Sequence, residues 1–316
     1  MGPQVNGIST TDHLQTPKIA IHPADTPGWI TTAVAEAGGL VVPMDRAQGL
    51  LWAGREPSEL AALLDAYPDL RWVQFAAAGV ERYVHLIDDS RTWTCGKGVY
   101  GPVVAEHVLM CILALLHELP VLARAMSWQK AAPRSLYDAS VTIVGAGGIA
   151  SSLVTLLAPF RVKVSVVRRR PSPIPGVEAV AAPDLLLETI AGADAVVLAA
   201  PLTAATRGMF GERALRAMKR DAVLVNVARG QLIVTDDLVR ALTGGWIGGA
   251  ALDVTDPEPL PADHPLWRLR NCMITPHSAS RLEMVEGTYS ERIRENVRRF
   301  ARGDRLVGVI DAQAGY

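Results

Sequence analysis

The stretch Val141-Thr142-Ile143-Val144-Gly145-Ala146-Gly147-Gly148-Ile149-Ala150 constrains this chain more than any other. β-Branched residues fill its first half and favour an extended strand. The glycines then call for a sharp turn, and an apolar helical run, Leu153 to Leu157, follows. Strand, Gly-rich turn and helix in that order open a βαβ unit of a doubly wound parallel sheet. In this reading Gly145 permits the turn, Gly147 lets backbone N–H groups approach a pyrophosphate, and Ala150 is the small residue where helix meets strand. The phosphate charge would rest at the helix N-terminus.

The rest of the chain fits such a unit. Strands are predicted at Lys18 to His22, Leu40 to Val42, Gly49 to Trp52 and Arg71 to Phe75. A second series lies at Val141 to Val144, Val162 to Val167, Ala195 to Ala199, Ala222 to Val227, Ala250 to Val254 and Met273 to Thr275. Alternation with helical stretches predicts two α/β domains, each a parallel sheet with helices on both faces. With 316 residues and 49% hydrophobic content, the chain can bury cores for both. The Gly-rich turn opens the middle segment, so the dinucleotide-binding domain is predicted to be internal.

Composition excludes several function classes. The formal net charge is −1 with both signs interspersed, and no basic field favours nucleic acid or an anionic membrane. Cys95, Cys111 and Cys272 share no metal-ligand spacing and read as reduced thiols of a cytoplasmic protein. The longest helical apolar run, Val108 to Leu116, is too short to span a bilayer. Residues 1–17 are polar, lack a signal-peptide pattern, and read as a disordered tail. No metal site is expected. His85, His107 and His117 form no ligand set, and His107 reads as an interdomain packing residue.

Chemistry enters at the strand ends. After the second strand of the internal domain, where an acidic residue would accept from a ribose 2′-OH, stand Arg168 and Arg169. Their forked guanidinium groups suit a 2′-phosphate, which predicts NADP(H) over NAD(H). Three later runs end in Arg229, Glu258 and His277. An Arg fork can hold a carboxylate and polarise a neighbouring carbonyl. A His can donate a proton to a forming alkoxide near neutral pH, and a carboxylate on its other ring nitrogen sets the tautomer.

Ordered motifs carry a resemblance: Ala77-Ala78-Gly79-Val80, Ala105-Glu106-His107, Gly145 to Ala150, Ala200-Pro201-Leu202-Thr203 with Thr206, Asn226 to Gly230, Asp253 to Pro259, and Pro276-His277. From Lys18 onward the chain resembles the D-isomer-specific 2-hydroxyacid dehydrogenases, which include glyoxylate/hydroxypyruvate reductases and phosphoglycerate dehydrogenases. Two stretches depart from the pattern: Thr255-Asp256 before Glu258, and Thr94-Cys95-Gly96-Lys97-Gly98. The resemblance implies a flavodoxin-like substrate domain from residues 18–104 and 285–316, and a Rossmann domain from 105–284. It further implies that Gly148, Ile149, Pro201, Thr206, Ala228 and Asp253 line the cofactor, and that Ala78 and Gly79 bind the substrate carboxylate.

Arg55 and Arg281 are candidates for a second anionic group on the substrate, and a homodimer through the Rossmann domain is implied. The expected activity is NADPH-dependent reduction of a small 2-oxo acid of glyoxylate or hydroxypyruvate type to the D-2-hydroxy acid. Alternatives are a phosphite or formate dehydrogenase on the same fold, or a dinucleotide-sensing, corepressor-like interaction protein. The formate chemistry pairs His with Gln rather than with a Glu such as Glu258.

Overall fold

The computed structural model describes residues 16–311, so the predicted tail lies almost wholly outside the described residues. The chain divides into two compact units. One contains the described residues up to Gly96 and those from Glu286 onward; the other is Lys97–Val285.

The first unit runs β1 (Lys18–His22), α1 (Gly28–Glu36), β2 (Leu40–Val41), β3 (Gly49–Trp52), α2 (Pro57–Ala66), β4 (Trp72–Phe75) and β5 (Thr92–Thr94). Its strands are all parallel, in the order β2-β1-β3-β4-β5 of a flavodoxin-like sheet. The second unit runs α3 (Gly101–Leu116), α4 (Leu119–Leu122), β6 (Ser140–Val144), α5 (Gly148–Leu157), β7 (Lys163–Val167), β8 (Ala179–Ala181), α6 (Leu186–Ala191), β9 (Ala195–Leu198), α7 (Glu212–Ala217), β10 (Val223–Asn226), α8 (Thr235–Thr243), β11 (Gly249–Leu252) and β12 (Cys272–Ile274). Its order, β12-β11-β10-β9-β6-β7-β8, is a parallel Rossmann sheet with one added strand. Helix α9 (Glu286–Arg302) then returns the chain to the first unit.

Why these runs make two-sided sheets is visible in the second core. Val196, Leu198, Leu224 and Leu252 join one apolar cluster with Phe210, Leu215 and Leu238. Their neighbours Ala195, Val197, Val225 and Ala251 join another with Val108, Ile112 and Leu153. Successive strand residues point to opposite faces, so helices must cover both. In the first unit, Trp72 packs on Phe300 of α9 at 5.2 Å between ring centroids. Asn296 of the same helix donates to Gln74 Oε1 at 2.7 Å within the core.

Two local expectations are corrected. Strands β5 and β8 were not predicted, because three-residue segments such as Thr-Trp-Thr and Ala-Val-Ala carry too little hydrophobic pattern to declare themselves. Helix α5 begins at Gly148, directly on the turn, rather than near Leu153. The division between units falls at Gly96/Lys97, and residues 98–101 lie against the Gly-rich turn. A Cβ on Gly101 would sit 2.7 Å from the Gly148 carbonyl oxygen, and one on Gly148 would sit 2.8 Å from Gly98 Cα.

Candidate active site

Register decides which side chains can meet. In the second sheet Val144 pairs with Val167 and Leu198, Leu198 with Asn226, Asn226 with Leu252, and Leu252 with Ile274. The segments that follow all leave the C-terminal edge at one level, where ligands of open α/β sheets bind. That edge carries Gly145, Arg168, Arg229, Asp253, Glu258 and His277 together.

The Gly-rich turn sits at the β6/β9 switch point. Gly145 has φ +116°, and a Cβ there would lie 2.5 Å from the Ala199 carbonyl oxygen, so only glycine fits. Gly147 is exposed with open space where a Cβ would be, and α5 starts beside it with no side-chain cap. Half-buried Gly148 and Ile149 form its first turn, and buried Ala150 packs beneath them. Uncapped N–H groups under an open surface suit a pyrophosphate. Along the same edge, Thr206 Oγ1 donates to the Pro201 carbonyl at 2.7 Å and accepts from the Thr203 N–H at 2.8 Å, closing the 201–206 loop on itself. Half-buried Arg168 donates to Ser172 Oγ at 3.1 Å, and Arg169 is exposed.

The Arg229 segment is built from below. Asn226, fully buried, donates to the Arg229 carbonyl at 2.9 Å and accepts from the Ala228 N–H at 3.1 Å. Arg229 Nη1 donates to the carbonyl of buried Ala228 at 2.7 Å. Gly230 packs so closely on the Glu258 loop that a Cβ would collide with the Thr255 carbonyl. Gln231 and Thr235 add hydrogen bonds to Asp256, at 3.1 and 2.8 Å.

His277 Nδ1 lies 2.7 Å from Glu258 Oε1, with both side chains about half exposed. The other ring nitrogen, Nε2, is left to meet a ligand. The residue has φ +51°, an uncommon conformation for a residue with a side chain. Its N–H is held by the carbonyls of Asp253 and Thr275, at 2.8 and 2.9 Å. Asp253, 4% exposed, spends its carboxylate on the same loop, accepting from Thr275 Oγ1 at 2.6 Å, Ser278 N–H at 2.9 Å and Ala279 N–H at 3.1 Å. The arrangement presents one imidazole nitrogen from the loop after β12 and a guanidinium from the end of β10, two strands away across β11, a set able to bind an anion and transfer a proton.

Sequence reasoning missed Asn226, Gly230 and Thr275 as builders of this edge; a polar or small residue ending a buried apolar run was the available signal. His107 bonds within the second unit, to Thr275 Oγ1 at 3.3 Å. In the first unit, exposed Arg55 and Ala78 and half-buried Gly79 follow β3 and β4, whose last residues Trp52 and Phe75 are paired. Arg281 lies 3.7 Å from the Glu283 carboxylate and is 73% exposed. Burial pushes the Cys111 and Cys272 thiols up to about 12, so both stay protonated and unreactive. Among the described residues no cluster of three His, Cys, Asp or Glu could hold a metal ion, and no helix is long and apolar enough to cross a membrane.

Residues 108–279 match the D-isomer specific 2-hydroxyacid dehydrogenase, NAD binding domain. The chain is 39% identical over 300 residues to an uncharacterized protein in the proB 3′ region of Corynebacterium melassecola, covering 90% of this chain and 96% of that protein. It is 38% identical over 172 residues to human glyoxylate reductase/hydroxypyruvate reductase, about half of each chain (54% and 52%). Among solved structures, the NADPH-dependent glyoxylate/hydroxypyruvate reductase of Sinorhizobium meliloti, in complex with NADP and sulfate, superposes with a TM-score of 0.80 at 26% identity, covering 95% of this chain and all (100%) of that one. Sheet orders, Gly-rich turn, the Arg, Glu and His edge and these likenesses agree, and the chain belongs to the D-isomer specific 2-hydroxyacid dehydrogenases, a family of NAD(P)-dependent oxidoreductases.

Proposed function

We propose that this enzyme uses NADPH to reduce a small 2-oxo acid, of glyoxylate or hydroxypyruvate type, to the D-2-hydroxy acid. The observation that carries the reading is the 2.7 Å contact between His277 Nδ1 and Glu258 Oε1. A carboxylate on Nδ1 leaves Nε2 as the nitrogen that gives a proton to the substrate oxygen. Arg229 holds the substrate carboxylate and draws charge from the adjacent carbonyl. On the family resemblance, Ala78 and Gly79 are further candidates for substrate carboxylate binding, and Arg55 and Arg281 for a second polar group.

The cofactor, when bound, supplies the hydride. Gly145, Gly147, Gly148 and Ile149 would hold its pyrophosphate, Arg168 and Arg169 its 2′-phosphate, and Pro201, Thr206, Ala228 and Asp253 would line the remainder. Support for NADP(H) comes from the exposed Arg169 and half-buried Arg168 at the end of β7, and from the NADP bound by the Sinorhizobium relative. Support for a homodimer through the Rossmann domain comes from Met126 and Trp128, which are 98% and 100% exposed in the segment after α4. Sedimentation of the wild type and of Trp128→Ser checks the dimer, a monomeric wild type removing it.

The deciding experiment for the activity follows NADPH oxidation with glyoxylate, hydroxypyruvate, longer 2-oxo acids, and phosphite or formate in the reverse direction with NADP⁺. Turnover of glyoxylate or hydroxypyruvate is expected. Cofactor binding without turnover of any member would instead support a dinucleotide sensor.

A further inference from the structure

Helix α3 touches both working parts of the Rossmann unit. Its first turn abuts the Gly-rich turn at Gly148, as the Gly101 and Gly98 approaches show. His107 lies six residues further on, about 9 Å along the helix axis at 1.5 Å per residue. There its Nε2 meets Thr275 Oγ1 at 3.3 Å and lies 3.8 Å from Asp253 Oδ1, with the imidazole only 13% exposed.

Proton positions in this buried set follow from its acceptors. Asp253 Oδ1 takes the Ser278 and Ala279 N–H groups besides Thr275, so this oxygen acts only as an acceptor, and the 2.6 Å bond must use the Thr275 hydroxyl proton. That hydroxyl has no second proton, so it accepts from His107, which therefore carries hydrogen on Nε2. A directed chain results: His107 N–H to Thr275, Thr275 O–H to Asp253. Thr275 and Asp253 are the two residues whose carbonyls hold the His277 N–H. Cys111, one turn beyond His107, also faces the Asp253 charge, but its thiol stays neutral.

We infer that His107 is a positioning residue for His277: through Thr275 and Asp253 it holds the proton-donor loop in its left-handed conformation and registers that loop against the cofactor turn at the other end of α3. Holding a residue at positive φ costs free energy, which the surrounding structure must supply. Losing one neutral hydrogen bond in that support should lower the fraction of correctly placed imidazole about three- to tenfold. The inference rests on His277 being the proton donor, and its test separates the two.

The full-length protein with ring-labelled histidine is compared as wild type, His107→Ala, His107→Gln and Thr275→Val. The Gln side-chain amide can donate to Thr275 in place of imidazole. The expected result is that the His277 ring resonances move in His107→Ala and Thr275→Val and return toward wild type in His107→Gln. In parallel, kcat with glyoxylate falls about three- to tenfold in the first two, while KM for NADPH holds. Unmoved His277 resonances in the two deletion variants, or a folded Gln variant as displaced as Ala, overturn the inference. If His107→Ala does not fold, the near-isosteric Thr275→Val and the Gln variant decide it. If the wild type reduces no 2-oxo acid, the proposed activity fails while the resonances still decide this point.

Discussion

Gly230 and Thr255 stand backbone to backbone, with no room for a single carbon between the Gly230 α-position and the Thr255 carbonyl. This contact seats the strand end bearing Arg229 directly on the loop bearing Glu258, so the two side chains share one support. Gly230→Ala should therefore force the two segments apart. We expect a loss of about 1–3 kcal/mol, the usual cost of overpacking, together with a fall in kcat larger than stability alone explains. Thermal unfolding and steady-state rates measured on the same preparation check this; an unchanged Tm would mean that the loop yields without strain.

The His277–Glu258 pair is tested in two steps. His277→Ala should lower kcat by roughly 10²- to 10⁴-fold, the range for loss of a general acid, with NADPH binding intact. Glu258→Gln keeps an oxygen for the Nδ1 hydrogen bond but loses the charge, and should cost about ten- to a hundredfold, as for a charge-assisted bond. Nearly normal turnover in His277→Ala would assign the proton to another group.

Cofactor choice should depend on Arg168 and Arg169. Each charged contact to a 2′-phosphate is worth about 1.5–3 kcal/mol, so kcat/KM should favour NADPH over NADH by one to two powers of ten per contact. Arg168→Asp should reduce or reverse that preference by placing an acceptor where a ribose 2′-OH would be. Equal use of both cofactors by the wild type rules the idea out.

Arg229→Lys keeps the charge but not the two-pronged geometry. KM for the 2-oxo acid should rise and kcat fall together if, as proposed, the same fork binds the carboxylate and polarises the carbonyl. A variant altered only in solubility would show that Arg229 is a structural residue.

Substrate charge can be read from Arg55 and Arg281. Among the described residues the Arg55 guanidinium makes no ion pair, and Arg281 has only a 3.7 Å contact with the Glu283 carboxylate. Substrates with a second anionic or strongly polar group should be preferred over long apolar 2-oxo acids, and Arg55→Ala should narrow the difference. If 2-oxoisocaproate is the best substrate and neither Arg55→Ala nor Arg281→Ala changes the ranking, both are surface residues.

Local chemistry alone determined a good deal here. β-Branched runs such as Val141–Val144 must be strands, a Gly-X-Gly turn after one must lead into a helix, and alternation of such units must give buried parallel sheets. The Arg and His could be picked out because each closely follows an apolar run, and the Glu because two prolines flank it in the loop after another such run; all three have chemistry that a core cannot use. Tertiary structure alone decided how they are held. Strand pairing brings Asn226, Leu252 and Ile274 level, though 48 residues separate the first from the last, so Arg229, Asp253 and His277 leave one edge. Asp253 bonds to Ser278 and Ala279 across 25 and 26 positions, and Thr275 meets His107 across 168. Such contacts follow from register and helix packing, which depend on the whole sheet closing at once, and no short window of sequence contains that information.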